Sequence, residues 1–254
     1  MPDKSPVSIV KTGAADEKAL RQSVPAPRTK SIPVAEEVLR ENRIVAATPG
    51  DERADLFRIL RRQILQTLAR NDQRTLAITS AKPGEGKSLV SVNLAVSLAM
   101  DVNQTILLVD LDLRRPKVHE YFSLPPGRGL PDYLAGKAEL SDCLVRPAGF
   151  ERLVVLPSHG HHPHSSEILS APRMRNLAEE LKSRYQDRII LYDLPPLLAT
   201  DDALGFLPQV EAVLLVVAEG DTRQPELERA MELLKGTNVI GTVLNRAHET
   251  YYSY

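Results

Sequence analysis

An α/β fold, with a mostly parallel sheet and helices on both faces, is the architecture this sequence predicts. Three observations predict it. Short runs of Val, Ile and Leu recur through most of the chain. Segments of helical length alternate with them, and a near-continuous apolar run implies a strand buried on both faces, as parallel strands are. Turn or acidic residues close several of these runs, at the strand ends where such sheets bind ligands.

In chain order, residues 1–48 are rich in Pro, Ala, Lys and Glu. They read as a mobile arm that carries contacts rather than chemistry, with one short helix around "VAEEVLREN". The stretch "DERADLFRILRRQILQTLA" places Leu56, Ile59, Leu60, Ile64 and Leu68 at helical spacing, with Arg58, Arg61 and Arg62 largely on other faces. It predicts a surface helix with a basic side. Strands are expected at 75–81, 105–112, 152–158, 188–195, 212–220 and 239–247. Helices are expected at 87–101, 130–135, 173–185, 200–207 and 223–235. Alternation of this kind asks for right-handed crossovers. The organisation that follows is an arm (1–48), one domain (49–247) and a tail (248–254).

Composition bounds the function. The chain has 254 residues, 43% of them hydrophobic, which suits one large α/β domain or two small ones. With 32 Lys+Arg against 33 Asp+Glu, nothing suggests wholesale nucleic-acid binding. A single cysteine, Cys143, excludes an intramolecular disulfide and fits a reducing compartment. No apolar run approaches the roughly 18 to 20 residues of a bilayer span, and "MPDKSPVSIVKTG" lacks a signal peptide's apolar core. The expected location is cytoplasmic.

The segment "SAKPGEGKSLV" (80–90) follows a strand and opens a helix. A phosphate needs exposed backbone N–H groups, a cation and no obstructing Cβ. Pro83, Gly84, Glu85, Gly86, Lys87 and Ser88 supply the turn, the helix N-terminus and the ammonium. Ser88 adds a hydroxyl for Mg²⁺. A strict P-loop has Gly where this chain has Ala81, so the form is a variant, and Lys82 stands five residues before Lys87. That is the place of the signature lysine in deviant P-loop ATPases. The fold is therefore expected to be P-loop NTPase-like, within the Rossmann-like class, with ATP bound by residues 82–88.

Two acidic strand ends complete the expected site. In "ILLVDLDLRRPK", Asp110 and Asp112 leave an apolar run two residues apart and can face a triphosphate and its metal. Buried carboxylates need a partner cation, and Mg²⁺ is suitable. In "IILYDLPPLLATDDA", Asp193 ends a strand as a Walker-B carboxylate does, and Pro195-Pro196 stops the strand. Arg114, Arg115 and Lys117 stand beside the expected triphosphate, to screen its charge or hold an acidic tail; ordinary surface charge fits them nearly as well. His159, His161, His162 and His164 lie in a Pro/Ser/Gly loop without regular ligand spacing, so a solvated loop is expected there.

The last four residues contain Tyr251, Tyr252 and Tyr254, three of the seven tyrosines in a chain without tryptophan. A terminal tail packs aromatic rings poorly. Free phenols near a bound triphosphate are phosphoryl acceptors, and each phosphate adds about −1.5 to −2 of charge at neutral pH. Eight residues beyond Arg246 span at most about 28 Å, which leaves transfer within one chain or between chains open.

Over residues 50 to 254, the deviant P-loop, "LLVDLDLRRP", "LYDLPPLLATDDA", "GTVLNR" and the tyrosine cluster resemble the bacterial tyrosine kinases of capsular and exopolysaccharide biosynthesis. Among these, the autokinases encoded beside exosortase systems look most similar. The resemblance implies that Asp110 and Asp112 (Walker A′) organise Mg²⁺ and assist deprotonation of the acceptor tyrosine. It also places Asp193 in Walker B and Asn245 near the adenine. A ring is implied, assembled through an E-x-x-R-x-x-R helix, where this chain has Asp55, Arg58 and Arg61. The shorter acid departs from the pattern, and a solvated amphipathic helix also fits these residues. Further implications are a separate membrane adaptor of the chain-length-determinant type that recruits the kinase to the inner face of the plasma membrane, and a tyrosine phosphatase. The competing class is the positioning ATPase of plasmid partition and division-site selection. Those proteins favour Lys-Gly-Gly where this chain has Lys82-Pro83-Gly84, and division-site members end in a basic amphipathic helix rather than tyrosines.

Overall fold

The computed structural model describes residues 29–48, 50–101, 104–184 and 187–247. Its strands are β1 (Lys30–Ile32), β2 (Thr75–Ser80), β3 (Thr105–Asp110), β4 (Val145–Pro147), β5 (Leu153–Leu156), β6 (Arg188–Asp193), β7 (Ala212–Ala218) and β8 (Val239–Asn245). They form one sheet in the order β1-β4-β5-β3-β6-β2-β7-β8. Neighbours pair in parallel except β4 with β5, which run antiparallel. The α/β P-loop architecture with a mostly parallel sheet is as the sequence predicts.

The helices are α1 (Glu36–Glu41), α2 (Arg53–Arg70), α3 (Lys87–Ala99), α4 (Val118–Tyr121), α5 (Leu130–Leu134), α6 (Leu140–Cys143), α7 (Ser165–Ser170), α8 (Pro172–Arg184), α9 (Asp202–Phe206) and α10 (Gln224–Leu233). Successive strand side chains point to opposite faces, so each central strand feeds two cores. Leu107 and Val109 of β3 pack with Leu177 and Leu181 of α8 and Phe206 of α9. Ile106 and Leu108 pack with Leu94 and Leu98 of α3 and Ile64 and Leu68 of α2.

Register carries the carboxylates to one level. Asp110 at the end of β3 stands opposite Asp193 at the end of β6, and Ile78 of β2, just before the phosphate loop, also pairs with Asp193. Beyond β6 the chain stays on β2, with Leu197 N–H donating to the Ser80 carbonyl (2.9 Å) and the Thr79 hydroxyl to the Pro195 carbonyl (2.8 Å).

Two expectations change. The arm predicted for 1–48 gives way to folded structure from Lys30 onward. Strand β1 extends the sheet, Ile32, Ile44, Val45 and Ala46 are buried, and Asn93 of α3 accepts from Ala46 N–H and donates to the Arg43 carbonyl. Proline breaks a helix, but it does not prevent a three-residue strand and a few apolar anchors from docking. Residues 1–28 of that arm lie outside the described residues. On α2, Ile64 and Leu68 are buried as expected, whereas Leu56 and Ile59 are exposed. Ala54, Ile64 and Leu68 share the buried face of α2 with Phe57 and Arg61, which meet Ser97 of α3, whereas Leu56 and Ile59 fall on another face.

Candidate active site at the carboxyl ends of the strands

The loop between β2 and α3 is shaped by two glycines in the left-handed region, Gly84 (φ 87°) and Gly86 (φ 94°). At Gly86 a Cβ would lie 2.0 Å from Asn245 Nδ2. Only glycine meets both constraints. Asn245, at the end of β8, donates to the Glu85 carbonyl (2.9 Å), so the last strand braces the loop from outside. Lys87 and Ser88 then open α3, whose first-turn N–H groups and dipole favour an anion.

Lys87 is the electrostatic centre. Its Nζ lies 2.8 Å from Asp112 Oδ2, 3.8 Å from Asp193 Oδ2 and 3.2 Å from Ser88 Oγ. Burial works against its charge, but Asp193 and Asp112 outweigh it and hold the ammonium protonated. Asp193 accepts from Ser88 Oγ (2.6 Å) and Ser91 Oγ (3.0 Å). Ser91 escaped the sequence reading, although it lies one helical turn beyond Ser88 and so shares its face. Burial raises the Asp193 pKa against the opposing effects of Lys87 and Ser88.

Asp110 is also fully buried. Its oxygens accept from the backbone N–H groups of Asp112 (3.2 Å), Lys117 (3.0 Å) and Val118 (3.0 Å), so it ties the loop after β3 to the start of α4. Burial, reinforced by Asp193, pushes its carboxyl well above the ordinary range. Three carboxylates around one ammonium leave excess negative charge in a buried place. Among the described residues no group of three or more His, Cys, Asp or Glu side chains could hold a metal ion. Mg²⁺ bound through one or two carboxylates and substrate phosphates needs no such group, and Asp112, Asp193 and the Ser88 hydroxyl supply oxygens of the kind it takes.

Other predicted residues lie apart from this centre. Lys82 pairs with Asp221 (3.2 Å) and Glu226 (3.0 Å) at the outer edge of the loop. Arg114 turns away to the buried Asp202 (2.9 Å), which also accepts from Ser165 Oγ (2.6 Å). This Arg114–Asp202–Ser165 cluster was not legible in the sequence, because its members come from three distant segments. On α2, Asp55 and Arg58 pair with each other, and Arg61 donates to the Ser97 carbonyl (2.8 Å). In the histidine loop, His161 Nδ1 lies 2.7 Å from the Arg114 carbonyl and His162 Nε2 lies 3.0 Å from the His159 carbonyl. Tyr251, Tyr252 and Tyr254 lie outside the described residues.

Residues 76–251 match the CobQ/CobB/MinD/ParA nucleotide binding domain family. Tyrosine-protein kinase YwqD of Bacillus subtilis is 32% identical over 209 residues, a match that covers 82% of this chain and 86% of YwqD. The chain belongs to the bacterial tyrosine kinase family. A second member of that family, tyrosine-protein kinase Etk of Escherichia coli K12, is 33% identical over 234 residues. That match covers 89% of this chain but 30% of Etk, so the chain spans less than a third of that relative. The succinoglycan biosynthesis transport protein ExoP of Rhizobium meliloti is 34% identical over 217 residues, covering 82% of this chain and 26% of ExoP. Solved structures agree. The kinase domain of E. coli ETK superposes with a TM-score of 0.73 at 32% identity, covering 89% of this chain and 93% of that one. The chimerical protein CapA2B2 gives 0.74 at 30% identity, covering 87% and 94%. Among the described residues no helix is long and apolar enough to cross a membrane.

Proposed function

We propose that this chain is an ATP-dependent protein-tyrosine autokinase that phosphorylates its own C-terminal cluster, Tyr251, Tyr252 and Tyr254. The observation that carries the reading is the gathering of Lys87, Ser88, Asp112 and Asp193 within 3.8 Å contacts at the N-terminus of α3. In this reading residues 82–88 and Asn245 bind ATP, with Lys87 on the phosphates. Ser88, Asp110, Asp112 and Asp193 hold Mg²⁺, directly or through water. Bound Mg²⁺ supplies neutralisation of charge on the β- and γ-phosphates. The tail phenol oxygen bonds to the γ-phosphorus as the bond to the β-phosphate oxygen breaks, ADP leaves with that electron pair, and one carboxylate of the Asp110/Asp112 pair takes the phenol proton. Positioning and preorganised charge provide most of the rate.

Regulation of exopolysaccharide or capsule polymerisation and export is the cellular role we assign, supported by the likeness to ExoP. A separate membrane adaptor would recruit the chain to the inner face of the plasma membrane, and a tyrosine phosphatase would reset the tail. Support for the adaptor comes from the match to the CapA2B2 chimera. Ring assembly would use Asp55, Arg58 and Arg61 of α2, beside the exposed Leu56, Ile59 and Met100. The subtype encoded beside exosortase systems rests on the sequence resemblance alone.

The test is incubation of purified chain with Mg·ATP, beside a variant with Tyr251, Tyr252 and Tyr254 all replaced by Phe. Phosphotyrosine in the parent and none in the variant is expected. ATP consumption with no modified tail would favour a positioning ATPase instead.

A further inference from the structure

We propose that Asp221 is a positioning residue that ties the nucleotide loop to the root of the tyrosine tail, through Lys82 on one side and Arg246 on the other. Asp221 lies in the turn between β7 and α10, which no sequence motif marks. Its Oδ1 lies 3.2 Å from Lys82 Nζ and its Oδ2 lies 3.4 Å from Arg246 Nη1, while its carbonyl accepts from Lys82 Nζ at 2.9 Å. Arg246 donates from its other terminal nitrogen to the Gly84 carbonyl inside the phosphate loop. One carboxylate therefore holds two cations, one from the phosphate loop and one from the residue that follows β8.

The surrounding turn is built to hold Asp221 still. The Thr222 hydroxyl donates to the buried Glu85 carboxylate and accepts from Ala218 N–H (2.9 Å), and Glu85 also accepts from Lys82 N–H (2.9 Å). Glu226, the second partner of Lys82, accepts from Arg223 N–H (2.8 Å) at the start of α10. On the far side Glu219 N–H donates to the Asn245 carbonyl (2.9 Å). Arg246 itself sits at φ 60°, in the left-handed region that a residue with a Cβ rarely adopts. Strain of that kind persists where surrounding contacts over-determine it and is a pointer to function.

The network is a poor stability device. Side-chain exposure is 44% at Asp221 and 52% at Arg246, and ion pairs this exposed contribute little to folding. What they do fix is position. The contacts join the phosphate loop, the β7–α10 turn and Arg246 just after β8, so the last described residues are held beside the loop that would bind the triphosphate. Misplacement of a reactant by about 1 Å can cost on the order of a hundredfold in rate.

This inference rests on the autokinase reading, and its test separates the two. Asp221→Asn, Arg246→Gln and the double variant are compared with the parent chain for two reactions: labelling of the attached tail, and labelling of a free peptide of residues 246–254 by a chain whose three tail tyrosines are Phe. Each single variant is expected to lower attached-tail kcat about tenfold, with KM for ATP and free-peptide labelling within about threefold of the parent. The double variant is expected to lose less than a hundredfold, since the two residues share the Asp221–Arg246 contact. Arg246→Lys, which keeps the charge, is expected to recover part of the loss. Unchanged attached-tail labelling overturns the inference, as does an equal loss on both substrates, which would place Asp221 in nucleotide binding or folding. A parent chain that labels neither substrate overturns the autokinase reading and this inference with it.

Discussion

Lys87 Nζ and Asp112 Oδ2 lie 2.8 Å apart in a pocket where both side chains are nearly buried. Removing one member of such a pair costs more than removing both, because the survivor keeps its desolvation penalty without a partner. Lys87→Met is expected to lower unfolding free energy by about 3 kcal/mol and to abolish ATP binding. Adding Asp112→Asn should restore most of the stability and none of the binding. Denaturant melts with calorimetric titration check both, and a double variant less stable than Lys87→Met would contradict the pairing.

Asp193 has a raised pKa in the folded chain, first through burial. A carboxyl of this kind contributes stability that is complete below its unfolded pKa and is lost as pH rises through the folded value. Asp193→Asn keeps the shape and removes the titration, and the Ser88 and Ser91 hydroxyls can rotate to meet an amide. At pH 7 and without nucleotide, the variant should equal or exceed the parent by on the order of 1 kcal/mol, with the difference closing toward pH 4. Melting across that range checks the sign.

Gly86→Ala meets two obstacles, the positive φ and Asn245 Nδ2 at 2.0 Å. The expected loss is about 2 to 3 kcal/mol. Combining it with Asn245→Ala should recover the steric part and leave the backbone part of about 1 kcal/mol. Full recovery would show that φ at this position relaxes freely.

Ile44 has no exposed surface, although it lies within the stretch expected to be a mobile arm. Ile44→Ala should destabilise the domain by about 2 to 4 kcal/mol. A change below about 0.5 kcal/mol, the range of an ordinary surface substitution, would show that the segment does not dock in solution.

Much of the domain was legible because its physics is local. Continuous Val/Ile/Leu runs gave strands β2, β3, β5, β6, β7 and β8, and Gly-Lys-Ser after β2 gave the phosphate loop. Strands β1 and β4 are three residues each, too short for a pattern to show. Asp110, Asp112 and Asp193 could be placed at strand ends, but their separate partners depend on register and on loops that fold back. Backbone N–H groups hold Asp110, whereas Lys87 faces Asp112. Arg114 illustrates the limit: its sequence neighbours left open screening of the triphosphate, a hold on an acidic tail or ordinary surface charge, and a buried carboxylate 88 residues away holds it.

The central claim is that the site around Lys87 moves phosphate onto the C-terminal tyrosines. Site-resolved mass spectrometry of the chain after incubation with Mg·ATP, run beside folded Lys87→Met, tests it most directly. Phosphate on Tyr251, Tyr252 or Tyr254 in the parent and none in Lys87→Met is predicted. Equal modification in both, or an unmodified tail in a parent chain that binds Mg·ATP, would contradict the account.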